Sequence, residues 1–376
     1  MSPPGPKTVR TSGLDGRPKP KRMKVRLKIS LTLAAACLCS LSSCVSIVSG
    51  DGTGDTAISF ATPSADTKAA VEGGALAEGS FLVWGGYGEG ASSVNATNVF
   101  NGDTVIGLGG TWNYTGGTRY WVAGKTYDFY AVYPADIFSG QSGTSIDALS
   151  VTCFPEGIVT IENFDASATG TDAVDLMLAS ASRTTYDLIS EGETVPVSFS
   201  FSHLLTSIEF VGKIDEASAG IEGFSARLVS ARLYGMAKKG DFSVDKDKIL
   251  SIKNGDKNAV RDAWGLESIT TEDSPFASVS FENDGLMTTE GKSVFGEILF
   301  FPCLVQQGFI IEISYSVNGV VKGPERIDLT SIPLQEWQAG MRYRYTFSVS
   351  DTDRILFDVP TVRPWDDATG GIVIVE

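Results

Sequence analysis

From Gly79 to the C-terminus, apolar positions recur with a period of two. Phe81 and Val83 alternate with Leu82 and Trp84, and Tyr127, Phe129, Ala131 and Tyr133 with Asp128, Tyr130 and Val132. Val195, Val197, Phe199 and Phe201 are separated by Pro196, Ser198 and Ser200, and the longest row runs through Phe309, Ile311, Ile313, Tyr315 and Val317. Tyr343, Tyr345, Phe347 and Val349 follow. Strict alternation of β-branched and aromatic residues predicts half-buried antiparallel strands. The spacers are turn-rich, and Ser316-Val317-Asn318-Gly319-Val320-Val321 carries the Asn-Gly signal of a tight hairpin. Helical periodicity is nearly absent. The expected fold class is therefore all-β. The chain is too long for one small sandwich, so two tandem antiparallel β-sandwich domains are expected over 80–190 and 191–376, with the polar stretch Ser190–Thr194 between them.

The first 79 residues follow other rules. Lys24, Arg26 and Lys28 precede the apolar run Ile29 to Leu38, and small residues continue to Ser43. That order reads as a secretory signal peptide over 1–43, whose own start is expected at Met23 because Met1 to Arg22 is proline-rich and basic. Leu41-Ser42-Ser43-Cys44 has the form of a lipobox, which places lipidation at Cys44 and makes outer-membrane lipid a partner through that residue. Residues 44–79 are dominated by Gly, Ala, Ser, Thr and Asp and read as a tether. One strand is embedded in it: Thr56 to Thr62 alternates, with Ile58 and Phe60 on one side.

Charge and chemistry narrow the function. Taking the nine Lys or Arg and one Asp of residues 1–43 from 30 basic and 45 acidic residues leaves 21 and 44, a net charge of −23. Such a surface excludes nucleic acid as a natural partner. Cys153 and Cys303 are the two cysteines left beyond Cys44; an oxidising compartment allows them to pair, while their apolar strand contexts suit buried thiols. His203, the single histidine, falls on the Phe199 and Phe201 face of a strand and reads as a packed side chain, not a general base. No histidine and cysteine spacing suits a metal, and no glycine loop suits a nucleotide, so no cofactor and no metal are expected. The acidic pairs Asp172 and Asp175, Asp245 and Asp247, and Asp366-Asp367 read as solvated loop charge. The chain is expected to have no catalytic residues and not to be an enzyme.

Several passages together resemble the fimbrillin family, the pilins and fimbrillin-like lipoproteins of Bacteroidales. They are Ile58-Ser59-Phe60 followed by Thr67-Lys68-Ala69; Tyr120-Trp121 and Tyr127 to Pro134; Asp175 to Ala179; Phe199 to Leu205; Trp337 to Gly340; and Ile355-Leu356-Phe357 leading to Val362-Arg363-Pro364-Trp365. The resemblance implies transthyretin-like sandwiches, export as a lipoprotein to the cell surface, and a structural or adhesive role in a pilus built with other pilin subunits. It also implies cleavage at a basic residue after the first strand, then assembly by strand exchange. Lys68 is the one Lys or Arg between Cys44 and Arg119, so Lys68-Ala69 is the candidate processing site, and its Lys departs from the family's usual Arg. Ile58 and Phe60 mark the strand to be displaced. Ile372, Val373, Ile374 and Val375 mark the candidate donor strand, the alternative being a closing strand of the chain's own C-terminal domain.

The rival reading is a surface lipoprotein of the same fold that does not polymerise and binds carbohydrate or a host ligand. Trp84, Trp112 and Tyr114 are its candidate stacking residues. A host or bacterial surface receptor is a candidate partner under either reading.

Overall fold

The computed structural model describes residues 56–65, 78–89, 92–138, 146–153, 156–185, 196–267, 269–352, 354–365 and 373–374. Residues 43–376 form one compact unit, and strands are the main regular structure of its described part, with a few short helices. The alternating rows fold as expected. Ile311, Ile313, Tyr315, Tyr345, Phe347 and Val349 are fully buried, with the polar side chains between them facing outward or toward sheet neighbours. At the 318–319 turn both Asn318 and Gly319 have positive φ, which matches the twist of the strands they join.

Sheet I has seven strands in the order Ser64–Ala65, Ser200–His203, Met177–Thr184, Thr126–Tyr133, Gly79–Glu89, Ser92–Leu108 and Thr111–Tyr114. Sheet II is centred on Thr206–Ile214 and Met341–Val349, which run parallel although more than a hundred residues apart. The second of these carries Thr361–Pro364 on its other side, and that strand in turn pairs with Val373–Ile374. Sheet III has the order Ala277–Ser280, Ala226–Tyr234, Ile310–Val317 and Val320–Asp328. Sheet IV has the order Trp264–Leu266, Lys239–Val244, Ile158–Asp165 and Ala148–Thr152.

Two apolar cores result. The smaller lies on one face of sheet I and gathers Ile58, Phe60, Phe81, Phe100, Trp112, Trp121, Tyr127, Phe129, Val197, Phe199 and Phe201. The larger is shared by sheets II, III and IV and reaches the opposite face of sheet I at Trp84, Tyr130, Val132 and Leu178. Thr126–Tyr133 is therefore buried on both faces, against the expectation of a half-buried strand, because its second face meets another layer instead of water. Two passages cross the expected division between 190 and 191. Val197, Phe199 and Phe201 belong to the smaller core, and Ile158–Asp165 pairs with Lys239–Val244. The polar stretch 190–194 lies outside the described residues.

Short helices complete the described part, Glu216–Ala219, Lys246–Lys253 and Lys257–Arg261 among them. Asp245 caps the helix Lys246–Lys253 by accepting from the Lys248 amide at 2.9 Å, and Asp256 caps Lys257–Arg261. Lys246 reaches back from the first of these to Asp128 at 2.6 Å, and so pairs the buried carboxylate of the central strand of sheet I.

Candidate functional site

The strand Thr111–Tyr114 and the passage Val197–His203, toward the two ends of sheet I, are not free edges. Residues 56–65 lie between them and close the sheet on itself. On one side the segment is antiparallel: the Ile58 amide donates to the Arg119 carbonyl at 2.8 Å, the Trp121 amide donates to the Thr56 carbonyl at 3.0 Å, and Phe60 bridges to Trp112. On the other side it is parallel: Ala61 donates to Val197 O at 2.9 Å, Val197 donates to Ser59 O at 2.8 Å, and Ser64–Ala65 pairs with Ser200–Phe201. The alternation read from the sequence explains the placement, since Ile58 and Phe60 point inward and are almost fully buried.

Phe60 is held in a cage of rings. Its centroid lies 5.4 Å from Phe100, 5.8 Å from Tyr114, 5.9 Å from Phe199, 6.0 Å from Phe81 and 6.5 Å from Phe129, mostly edge to face. Glycines make room for the outer rings. A Cβ on Gly85 would stand 2.3 Å from the Phe129 ring, and one on Gly107 would stand 2.5 Å from the Trp112 indole, so both positions require hydrogen. Tyr127 stacks on Phe129 and accepts from the Val122 amide at 2.8 Å; burial pushes its phenol well up despite that bond.

A polar clasp sits at the start of the segment. The Tyr114 hydroxyl donates to Ile58 O at 2.9 Å and accepts from the Arg119 amide at 3.1 Å. The Arg119 guanidinium is buried, paired to Asp103 at 2.6 Å, and lies 4.5 Å from the Phe100 ring centroid. The fit is incomplete, however. Trp112 Nε1, Trp121 Nε1 and Arg119 Nε are buried without a hydrogen-bond acceptor among the described residues. Sequence reasoning missed this clasp. The one available signal was an arginine set among Gly116, Gly117, Tyr120 and Trp121 in a stretch otherwise poor in basic residues.

Other expected sites are placed as follows. Val373–Ile374 pairs with Thr361–Val362, which makes it an edge strand of its own sheet II; Ile372 and Val375 lie outside the described residues, as do Cys44, Lys68, Ala69, Asp366 and Asp367. His203 is buried, with Nδ1 2.9 Å from Asp175 Oδ2 and its ring stacked on Trp365 at 4.7 Å. Asp175 is thus the partner of a packed histidine, and Asp245 is a helix cap. Cys153 and Cys303 are free, buried thiols, each pushed by burial up to about 12. Trp84 and Trp112 are buried in the two cores and Tyr114 is held against Phe60 and Phe100, so none of the three presents the open ring face that sugar stacking requires.

No curated protein matches the chain at a significant level. Among solved structures, a fimbrial protein from Bacteroides vulgatus is 16% identical, with a TM-score of 0.50 over 76% of this chain and 92% of its own. A fimbrial assembly protein from Parabacteroides distasonis is 13% identical, with a TM-score of 0.39 over 85% of this chain and 98% of its own. The first likeness speaks to the fold. The family is shown by the sequence model for fimbrillin-like proteins, which matches residues 67–365. The chain belongs to the fimbrillin-like family of structural or adhesive pilus subunits.

Proposed function

We propose that the chain is exported as a lipoprotein, anchored in outer-membrane lipid through Cys44, and built into a surface pilus by protease-triggered strand exchange. Cleavage at Lys68-Ala69 frees the segment that carries Ile58 and Phe60. The observation that supports this reading is the position of that segment: it joins the two ends of sheet I and fills the ring cage with one side chain. Its removal leaves the carbonyls of Arg119, Val197 and Phe199 and the amides of Trp121 and Val197 without their partners, above an open apolar groove. An unpaired edge over an apolar groove is a template for another strand. Ile372 to Val375, whose central pair Val373–Ile374 lies against Thr361–Val362 at the end of sheet II, is the strand given to the next subunit. A head-to-tail contact of this kind is heterologous and builds a fibre.

Protein from cells, run on a gel with and without boiling, tests the reading. Heat-sensitive high-mass ladders are expected for the wild type and a monomer for Lys68→Ala. A monomer in every lane favours the non-polymerising surface lipoprotein, with a carbohydrate or host receptor as its ligand.

A further inference from the structure

The ring cage around Phe60 does more than mark a groove; it sets a requirement on whatever fills it. Five aromatic side chains, from Phe81, Phe100, Tyr114, Phe129 and Phe199, surround one position, four of them presenting an edge or face at steep angle and Phe199 stacking at 16°. A space of this shape is matched by a flat ring. A branched aliphatic chain there leaves part of the cage without contact atoms, and interiors do not relax fully to close such a gap. Two residues earlier, the Ile58 position is buried beside the Tyr114 and Arg119 clasp and suits an aliphatic side chain. The groove therefore reads an aliphatic-x-aromatic pattern.

Near the ends of the chain that pattern recurs once beyond Phe60, at Ile355-Leu356-Phe357, and that triplet is held at home in sheet II against Phe347 to Val349. Residues 45–80 contain no ring other than Phe60, and residues 358–376 none other than Trp365, which stacks on His203 at home. The C-terminal run Ile372-Val373-Ile374-Val375 is wholly aliphatic, and its central pair hydrogen-bonds to its own sheet. Resting on the strand-exchange reading above, we infer that the groove of this chain accepts the strand of a different subunit, one that carries an aromatic residue two positions after an aliphatic one, and that the chain is a poor acceptor of its own C-terminus. Assembly through this protein is then hetero-polymeric, with the Phe60 cage as the selector.

The test uses the full mature chain with a specific protease site inserted within residues 66–77, cut after folding. Four fluorescent synthetic peptides are titrated onto it: residues 55–65, the same peptide with Phe60→Val, residues 366–376, and a scrambled 55–65. The expected result is that the Phe60 peptide binds at least tenfold more tightly than the Val peptide, and that the C-terminal peptide binds no better than the Val peptide. Equal affinity of the C-terminal and Phe60 peptides overturns the inference while leaving strand exchange in place. If no peptide enters, including the native 55–65 sequence, the strand-exchange reading itself fails, and the selectivity with it.

Discussion

Replacing Phe60 by alanine separates a structural role of the N-terminal segment from mere proximity. The side chain is 6% exposed and touches five rings. Truncating a buried phenylalanine costs about 3–5 kcal/mol, combining lost transfer free energy with the cavity left behind. At roughly 2–4 °C per kcal/mol for a unit of this size, the melting temperature should fall by about 10 °C. Guanidinium titration gives the free energy, and an unchanged m-value shows that the midpoint shift reports stability. Ile106→Ala is the control: it lies in the same sheet but is half exposed, and should stay within about 0.5 kcal/mol of wild type. Hydrogen exchange adds a local readout. The Trp121 and Val197 amides donate to carbonyls of the segment, so they should lose protection in Phe60→Ala before the amides of Thr126–Tyr133 do. A cost below about 1 kcal/mol, or unchanged protection at Trp121 and Val197, refutes the idea that Phe60 locks the segment in place.

Three further outcomes are expected. Cys44→Ala should abolish incorporation of labelled palmitate and leave an unprocessed precursor away from the outer membrane; equal labelling of the mutant removes the lipid anchor from the account. His203→Gln should lower stability by about 1–3 kcal/mol through the Asp175 carboxylate it leaves, with a change in the near-ultraviolet signal of Trp365; an unchanged melting curve contradicts the buried pairing. Burial raises the thiols of Cys153 and Cys303 to about 12 and the phenol of Tyr343 to about 12, so the folded state holds these protons longer than the unfolded chain. The stabilising contribution is complete below about pH 9 and falls as pH rises toward 12, by about 1.4 kcal/mol per pH unit for each group above its unfolded pKa. Equal unfolding free energies at pH 8 and pH 11 contradict it.

What the sequence disclosed, and what it hid, follows from the range of the interactions. Alternation is a local property, so the rows through Tyr315 and Tyr345, the 318–319 turn and the inward faces of Ile58 and Phe60 were legible residue by residue. The second buried face of Thr126–Tyr133 was not, because Tyr130 and Val132 owe their burial to sheets formed by distant residues. The parallel pairing of Thr206–Ile214 with Met341–Val349 has no local signature either. The Arg119 clasp depends on Asp103 and Tyr114, which approach it only after the hairpin of sheet I has formed. The short helices were legible in principle, since Asp245 and Asp256 each stand at an N-cap, but their few apolar positions gave no periodicity to set against the surrounding strands.

The central claim, that residues 56–65 are a placeholder removed on assembly, meets its most direct test in the N-terminus of the chain recovered from polymer and from the unassembled pool of the same cells. The account predicts Ala69 as the first residue of the polymerised chain and an acylated Cys44 as the first residue of the unassembled one. A polymerised chain that still begins at Cys44, with Ile58 and Phe60 in place, contradicts it.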